Sequence, residues 1–332
     1  MSKFNNGVYP TMITPYDEKG NVDYGAVKAL VEWYWEKGCE GIFASCQSSE
    51  IFRLSLKDRL GLAKTVKDTA DALAAKDKSR EAMTIVASGH TSDDFEEQVD
   101  ELTRMADTGV DAVVLICNRS DIANTTEDKW IEETGALLDR LPTSVKYGTY
   151  ECPYPYKRLL TPEVIREIAP WGRFQFLKDT CCNAAQMKEK LAAMEGSDMR
   201  LFNANSATLL ETLQMGASGF SGVMANFHPE LYAWLCKNYA AEPEKAKMVQ
   251  DIVGFFSVAE CQNYPINAKY YLGTLEGLGF GYHARTKDPA EFMAGNFGFS
   301  STLLETLKKH GNTCPVVLSS SIQATCIGRY DS

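Results

Sequence analysis

No stretch of these 332 residues approaches the ~18 consecutive apolar positions that a membrane-spanning helix needs. The opening MSKFNNGVYPTMITPY lacks a basic segment followed by an apolar one, so it does not read as a secretory signal. Basic residues are in deficit: 34 Lys and Arg stand against 44 Asp and Glu, a net charge of −10. A nucleic-acid footprint is therefore not expected. An anionic small molecule stays admissible, because a site can be positive inside an acidic surface. The ten cysteines are scattered, and the spaced Cys/His pairs that zinc requires are missing. Free thiols in a reducing cytoplasm are the expectation, with no metal and no cofactor. Also missing is the glycine-rich phosphate turn after an early strand that marks a doubly wound, dinucleotide-binding sheet.

What is present is alternation. Short β-rich apolar runs occur at 7–14, 41–45, 83–88, 112–117, 144–149, 174–178, 200–204 and 219–224, each bounded by Gly, Asn, Asp or Pro. Helical patterns lie between them. The segment 22–37 puts Val27, Leu30, Val31 and Tyr34 on one face behind Asp23 as N-cap, and Thr161-Pro162-Glu163 is a clean helix opening. Eight strands alternating with eight helices by residue 240 predict an α/β fold, a (β/α)8 TIM barrel over 1–240. Further helical stretches near 244–262, 265–277 and 288–309 predict a C-terminal helical extension over 241–332, packed on the barrel. The tail 314–332 carries no predicted element.

Catalytic groups of such barrels project from the C-terminal strand ends. That rule nominates Gln47, Ser48, Ser49 and Glu50 after strand two, and His90 after strand three. It adds Asn118 and Arg119, Tyr150, Lys178 with Asp179, Asn203 and Asn205, and Asn226. Lys178 closes the apolar run Phe174-Gln175-Phe176-Leu177. At a barrel mouth, desolvation disfavours its ammonium and frees an amine able to attack a ketone. The same residue also fits a structural lysine paired with Asp179, and the residues alone leave both readings open. Tyr150, one strand earlier, suits a proton shuttle or an aromatic rim. Ser48 and Ser49 suit carboxylate binding or ordinary turn chemistry. His90 reads as a helix-entry residue.

Several segments together resemble the dihydrodipicolinate synthase/N-acetylneuraminate lyase family of class I, Schiff-base aldolases, across residues 7–300. They are GVYPTMITPYDEKGNVD, CEGIFASCQSSEIFRLSLKDR, YECP, FQFLKD, LQMGASGFSGVMANFHPELY and NYPINAKYYL. The resemblance implies Lys178 as the Schiff-base nucleophile and Tyr150 as the proton shuttle. It also implies Gln47, Ser48 and Ser49 at a carboxylate, pyruvate or another 2-oxo acid as substrate, and a homotetramer. Asn203 and Asn205 are candidates for the distal part of the substrate.

Departures from the family pattern narrow the substrate. The family loop reads Gly-Thr/Ser-Thr-Gly-Glu, whereas here it is Cys46-Gln47-Ser48-Ser49-Glu50, with an amide at the relay hydroxyl. Pro155 stands where the synthases carry an arginine, and no tyrosine occurs between 113 and 146. Ser206 and Ala207 occupy the acidic pair of the sialate lyases. The leading expectation is a lyase or aldolase that makes or cleaves a 2-oxo acid from pyruvate and an aldehyde. Tyr154 and Tyr156 beside Pro155 point to a less anionic, partly apolar aldehyde half. The alternatives are a sugar-acid dehydratase or hydratase-aldolase using the same imine, the synthase proper (disfavoured by Pro155 and Gln47), and a non-catalytic 2-oxo-acid binder.

Overall fold

The computed structural model describes residues 4–290, 292 and 297–312. Eight parallel strands alternate with eight helices. The strands are β1 (Gly7–Val8), β2 (Gly41–Phe43), β3 (Thr84–Ser88), β4 (Ala112–Ile116), β5 (Lys146–Tyr150), β6 (Phe174–Asp179), β7 (Leu201–Asn203) and β8 (Gly219–Phe220). The helices are α1 (Tyr24–Glu36), α2 (Leu56–Lys76), α3 (Phe95–Ala106), α4 (Glu127–Arg140), α5 (Pro162–Ile168), α6 (Ala184–Ala193), α7 (Leu209–Gln214) and α8 (Pro229–Asn238). Strand order runs β1-β8-β7-β6-β5-β4-β3-β2. The ring closes between its ends, where Thr11 bridges Phe43 and Met12 N donates to the Phe43 carbonyl. This is the (β/α)8 barrel that the alternation predicts. Among the described residues no helix is long and apolar enough to cross a membrane.

Local chemistry explains where the helices begin. Asp23, Ser55, Asp94, Thr126, Thr161 and Asn183 each accept a hydrogen bond from the backbone N–H three residues on. Each such cap contributes about 1 kcal/mol. The first strand, expected over 7–14, pairs as a strand only at Gly7–Val8. Pro10 has no N–H for the ladder, which shortens it. The last, expected over 219–224, stops at Phe220 because Val223–Asn226 winds into a 3₁₀ turn. The segment after β7 starts as a 3₁₀ turn, Ser206–Thr208, before it widens into α7.

Strand alternation sorts side chains into two layers. Val113 and Leu115 face the helices, while Val114, Ile116, Phe43, Phe176 and Phe202 fill the barrel. Gly148 is required within β5, since a Cβ there would meet the Phe176 carbonyl and Cβ at 2.9 Å.

Beyond α8 come α9 (Pro243–Phe256), a short α10 (Ile266–Tyr270) that runs into a π turn (Tyr271–Leu275), and α11 (Phe297–Asn312). Part of the stretch expected at 288–309, and the tail 314–332, lie outside the described residues. The extension is tied to the barrel by a buried ion pair, Lys269 Nζ to Glu50 Oε1 at 2.6 Å. Glu50 Oε2 accepts from Arg285 N, Thr286 N and the Thr286 hydroxyl. The loop after β2 is thereby held by residues more than 200 positions away.

His90 is buried between β3 and β4. Its Nε2 accepts from Ile116 N at 2.7 Å and its Nδ1 faces Gln98 Oε1 at 2.9 Å, which fixes a neutral ring. Burial pushes its pKa down to about 3 from the ordinary 6.5. Between those values the unfolded chain binds the extra proton, so stability falls as pH drops through 6.5. The loss attributable to this ring is roughly 2 kcal/mol at about pH 5. In His90→Gln the dependence of the urea-unfolding free energy on pH between 7 and 5 should flatten by about that amount. An unchanged slope would show that His90 does not govern the acid response.

Candidate active site

The centre of the site is the β5–β6 pair. Tyr150 lies directly opposite Lys178 in the parallel ladder, at the C-terminal end of both strands. Phe176, two residues before Lys178, points into the barrel, so Lys178 does too. The residue is 4% exposed, and its Nζ sits 4.3 Å from the Tyr150 ring centroid and 6.0 Å from that of Phe43. An aromatic floor lies beneath: Tyr9 and Phe202 have ring centroids 4.5 Å apart, Phe176 and Phe202 4.9 Å, and Phe43 and Phe176 5.7 Å. Burial lowers the Lys178 pKa below the ordinary 10.5, while the nearby thiols of Cys46 and Cys152 oppose it. Burial also raises the Tyr150 phenol well above its ordinary value.

The pairing of Lys178 with Asp179 does not occur. Adjacent strand residues face opposite ways, and Asp179 points outward to Lys190 of α6, 2.6 Å away. Among the described residues no carboxylate pairs with Lys178.

The loop after β2 forms a 3₁₀ turn over Gln47–Ser49, ended by Glu50 in the left-handed region at φ 62°. Gln47 Oε1 accepts from the thiol of Cys152 at 3.5 Å, which places the amide beside the segment that follows Tyr150. Ser48 donates to Thr11 Oγ1 at 3.1 Å, and both hydroxyls meet the phenol of Tyr264. Asn226 Nδ2 donates to the same phenol at 3.3 Å. Ser49 is different. Its hydroxyl lies 2.7 Å from the Met12 carbonyl and 3.1 Å from that of Ala44, and it accepts from Cys46 N. Its oxygen therefore fastens the turn to β1 and β2 and is not presented to the cavity.

Asn203 and Asn205 also fall outside the cavity. Phe202 takes the inward position on β7, so Asn203 faces the helix layer and donates to Thr208 and Thr212, both at 3.0 Å. Asn205 caps the turn before α7, accepting from Thr208 N. Strand-end position alone nominated both, and strand parity would have separated Asn203 from the site.

Five contributors were not anticipated. Tyr264 arrives from the extension, 114 residues after Tyr150 in sequence. Cys152 sits between Tyr150 and Gln47. Ser45, Ser88 and Ser221 hold buried hydroxyls without a protein partner, and Ser45 and Ser88 continue the inward parity of Phe43 and Val86. Asn118, nominated from its strand end, holds the following loop: its Nδ2 reaches the carbonyls of Cys152, Tyr154 and Tyr156.

The rim is apolar on one side. Phe52 meets Tyr154 edge-on at 5.0 Å, and Tyr154 is 52% exposed. The two cations that follow Tyr154 in the chain are committed elsewhere: Lys157 donates to the Thr180 carbonyl and Arg158 pairs with Asp121 at 2.9 Å. Glu260 of the extension is within electrostatic reach of Lys178, and its carboxyl pKa is raised by burial. A separate cavity of about 650 Å³, lined by Phe4, Glu40, Arg80, Arg200 and Lys237, opens at the opposite end of the barrel. Those residues precede or lie beneath the strands, so it holds none of the groups described above.

The sequence model of the dihydrodipicolinate synthetase family matches residues 4–117 and 143–286. A 4-hydroxy-tetrahydrodipicolinate synthase of Shewanella denitrificans is 24% identical over 305 residues, spanning 91% of this chain and 97% of that protein. The fold is shared with a dihydrodipicolinate synthase from Acinetobacter baumannii solved with pyruvate (TM-score 0.78, 20% identity, 93% of this chain and 99% of that one). It is shared equally with a sialic acid aldolase from Ruminococcus gnavus (TM-score 0.77, 20% identity, 92% and 99%). With the family model covering most of the barrel and reaching into the extension, the chain belongs to the dihydrodipicolinate synthetase family of class I, Schiff-base lyases and aldolases.

Proposed function

We propose that this protein reversibly cleaves a 4-hydroxy-2-oxo acid into pyruvate and an aldehyde, through an imine on Lys178. One observation carries the reading: a desolvated amine lies across the ring of Tyr150, in register on the neighbouring strand, and among the described residues no carboxylate forms an ion pair with it.

The neutral amine attacks the C2 ketone, and loss of water leaves a protonated imine. Tyr150, kept protonated by burial, supplies the proton for the departing hydroxyl. The phenolate so formed takes the proton of the C4 hydroxyl as the C3–C4 bond breaks. The bond's electron pair passes into the iminium, leaving an enamine on Lys178 and a free aldehyde. Protonation at C3 and hydrolysis of the imine release pyruvate and restore the amine. Ser48, backed by Thr11 and Tyr264, is the hydroxyl for the substrate carboxylate. Gln47 contributes an amide beside Cys152 and does not relay protons.

The rim favours an uncharged, apolar or aromatic aldehyde half. Phe52 and Tyr154 offer ring surface there, Lys157 and Arg158 are turned away, and the Glu260 carboxylate repels a second anion.

Borohydride with pyruvate should label the chain at Lys178, read by peptide mass, and Lys178→Ala should abolish the label; labelling elsewhere contradicts the assignment. Tyr150→Phe should lower kcat for cleavage by roughly 10²–10⁴-fold while leaving the fold intact by circular dichroism. In a pyruvate-release screen, 2-oxo acids bearing an aromatic aldehyde half should exceed those bearing a carboxylate by about tenfold or more in kcat/KM. A product retaining the full carbon skeleton would point instead to a dehydratase using the same imine.

A further inference from the structure

We propose that Lys190, which faces away from the cavity, is a positioning residue that sets the alignment of Tyr150 with Lys178. The inference rests on the reading of Lys178 as the imine-forming amine. Each of the two site residues is followed in the chain by an acid on the opposite strand face: Glu151 after Tyr150, and Asp179 after Lys178. Both acids are fully buried. The ammonium of Lys190 reaches out of α6 to touch them together, 2.5 Å from Glu151 Oε1 and 2.6 Å from Asp179 Oδ2.

That bridge acts where the ladder is irregular. Tyr147 lies opposite Phe174 but Gly148 lies opposite Phe176, so β6 carries one extra residue just before the pair. Such a bulge leaves register less determined by regular pairing, and a one-residue slip would reverse every side chain. A slip of β6 would turn Asp179 into the barrel and Lys178 out of it. The clamp opposes this from the outer face. Glu151 Oε2 accepts from Thr180 N at 2.9 Å, the Glu151 carbonyl accepts from the Thr180 hydroxyl at 2.7 Å, and Glu151 Oε1 accepts from Leu160 N. Asp179 Oδ1 accepts from Cys181 N. The strand ends that carry the reacting groups are thus tied to each other and to one helix.

A purely structural clamp and a positioning clamp differ in what survives when its charges are removed together. Removing one partner would strand a buried charge, whereas removing all three leaves none unpaired. The test is the triple variant Lys190→Met/Glu151→Gln/Asp179→Asn, followed by pyruvate and borohydride trapping and by thermal unfolding. With the thermal midpoint preserved, the trapping rate at saturating pyruvate should fall at least tenfold while half-saturating pyruvate stays within twofold. Trapping at the wild-type rate would overturn the proposal. Should the triple variant fail to fold, Glu151→Asp keeps every charge and only shortens one arm. A fivefold or greater fall in its trapping rate supports positioning, and no change overturns it. A labelled wild type with unaffected variants removes the clamp alone; a wild type that never labels at Lys178 removes the imine reading and the clamp with it.

Discussion

One amine held out of water is the constraint to which the rest of the structure answers. A lysine in solvent is an ammonium, unable to attack a ketone, and each pKa unit of depression represents about 1.4 kcal/mol of preference for the neutral form. The barrel supplies that preference by packing Phe43, Phe176, Phe202 and Tyr9 under Lys178, and among the described residues no carboxylate forms an ion pair with the amine, Glu260 acting on it only through space. The ring face of Tyr150 works in the other direction, since an aromatic face attracts a cation. Burial prevails, and the direction of the shift is downward. The same aromatic contact keeps the phenol beside the nitrogen whose chemistry it is proposed to serve.

Around this amine, buried polar groups build the frame. Glu50 and Lys269 join the loop of Gln47 and Ser48 to the extension, which also delivers Tyr264. Asn118 gathers three carbonyls of the segment after Tyr150, and Ser49 fastens its turn to two strands. Each is satisfied in its hydrogen bonding, as buried polar atoms must be. The unpartnered hydroxyls of Ser45, Ser88 and Ser221 contrast with them and mark the interior as a place where further oxygen atoms can be met.

The barrel was legible because alternation of short apolar runs with amphipathic segments is a long-range pattern that survives local errors. Strand ends were less legible: Pro10 cut β1 short, and a 3₁₀ turn truncated β8. The juxtaposition of Lys178 and Tyr150 at adjacent strand ends could be read from position and motif order. Asn203, Asn205 and Ser49 could not, because standing at a strand end says nothing about the face a side chain takes. Asn203 is the plain case, one residue after the inward Phe202 and turned to α7. The apparent partnership of Lys178 with Asp179 failed for the same reason, since neighbours on a strand point apart. Tyr264 was hidden differently: it depends on how the extension folds back over the barrel mouth.

Titration of the Lys178 amine is the most direct measurement of this constraint. Reductive methylation with formaldehyde and borohydride, run across pH and read by peptide mass at residue 178, reports the fraction of neutral amine. A midpoint below the ordinary 10.5, with exposed lysines of the same chain titrating near that value, is the expected result. A Lys178 midpoint at or above 10.5 would contradict it.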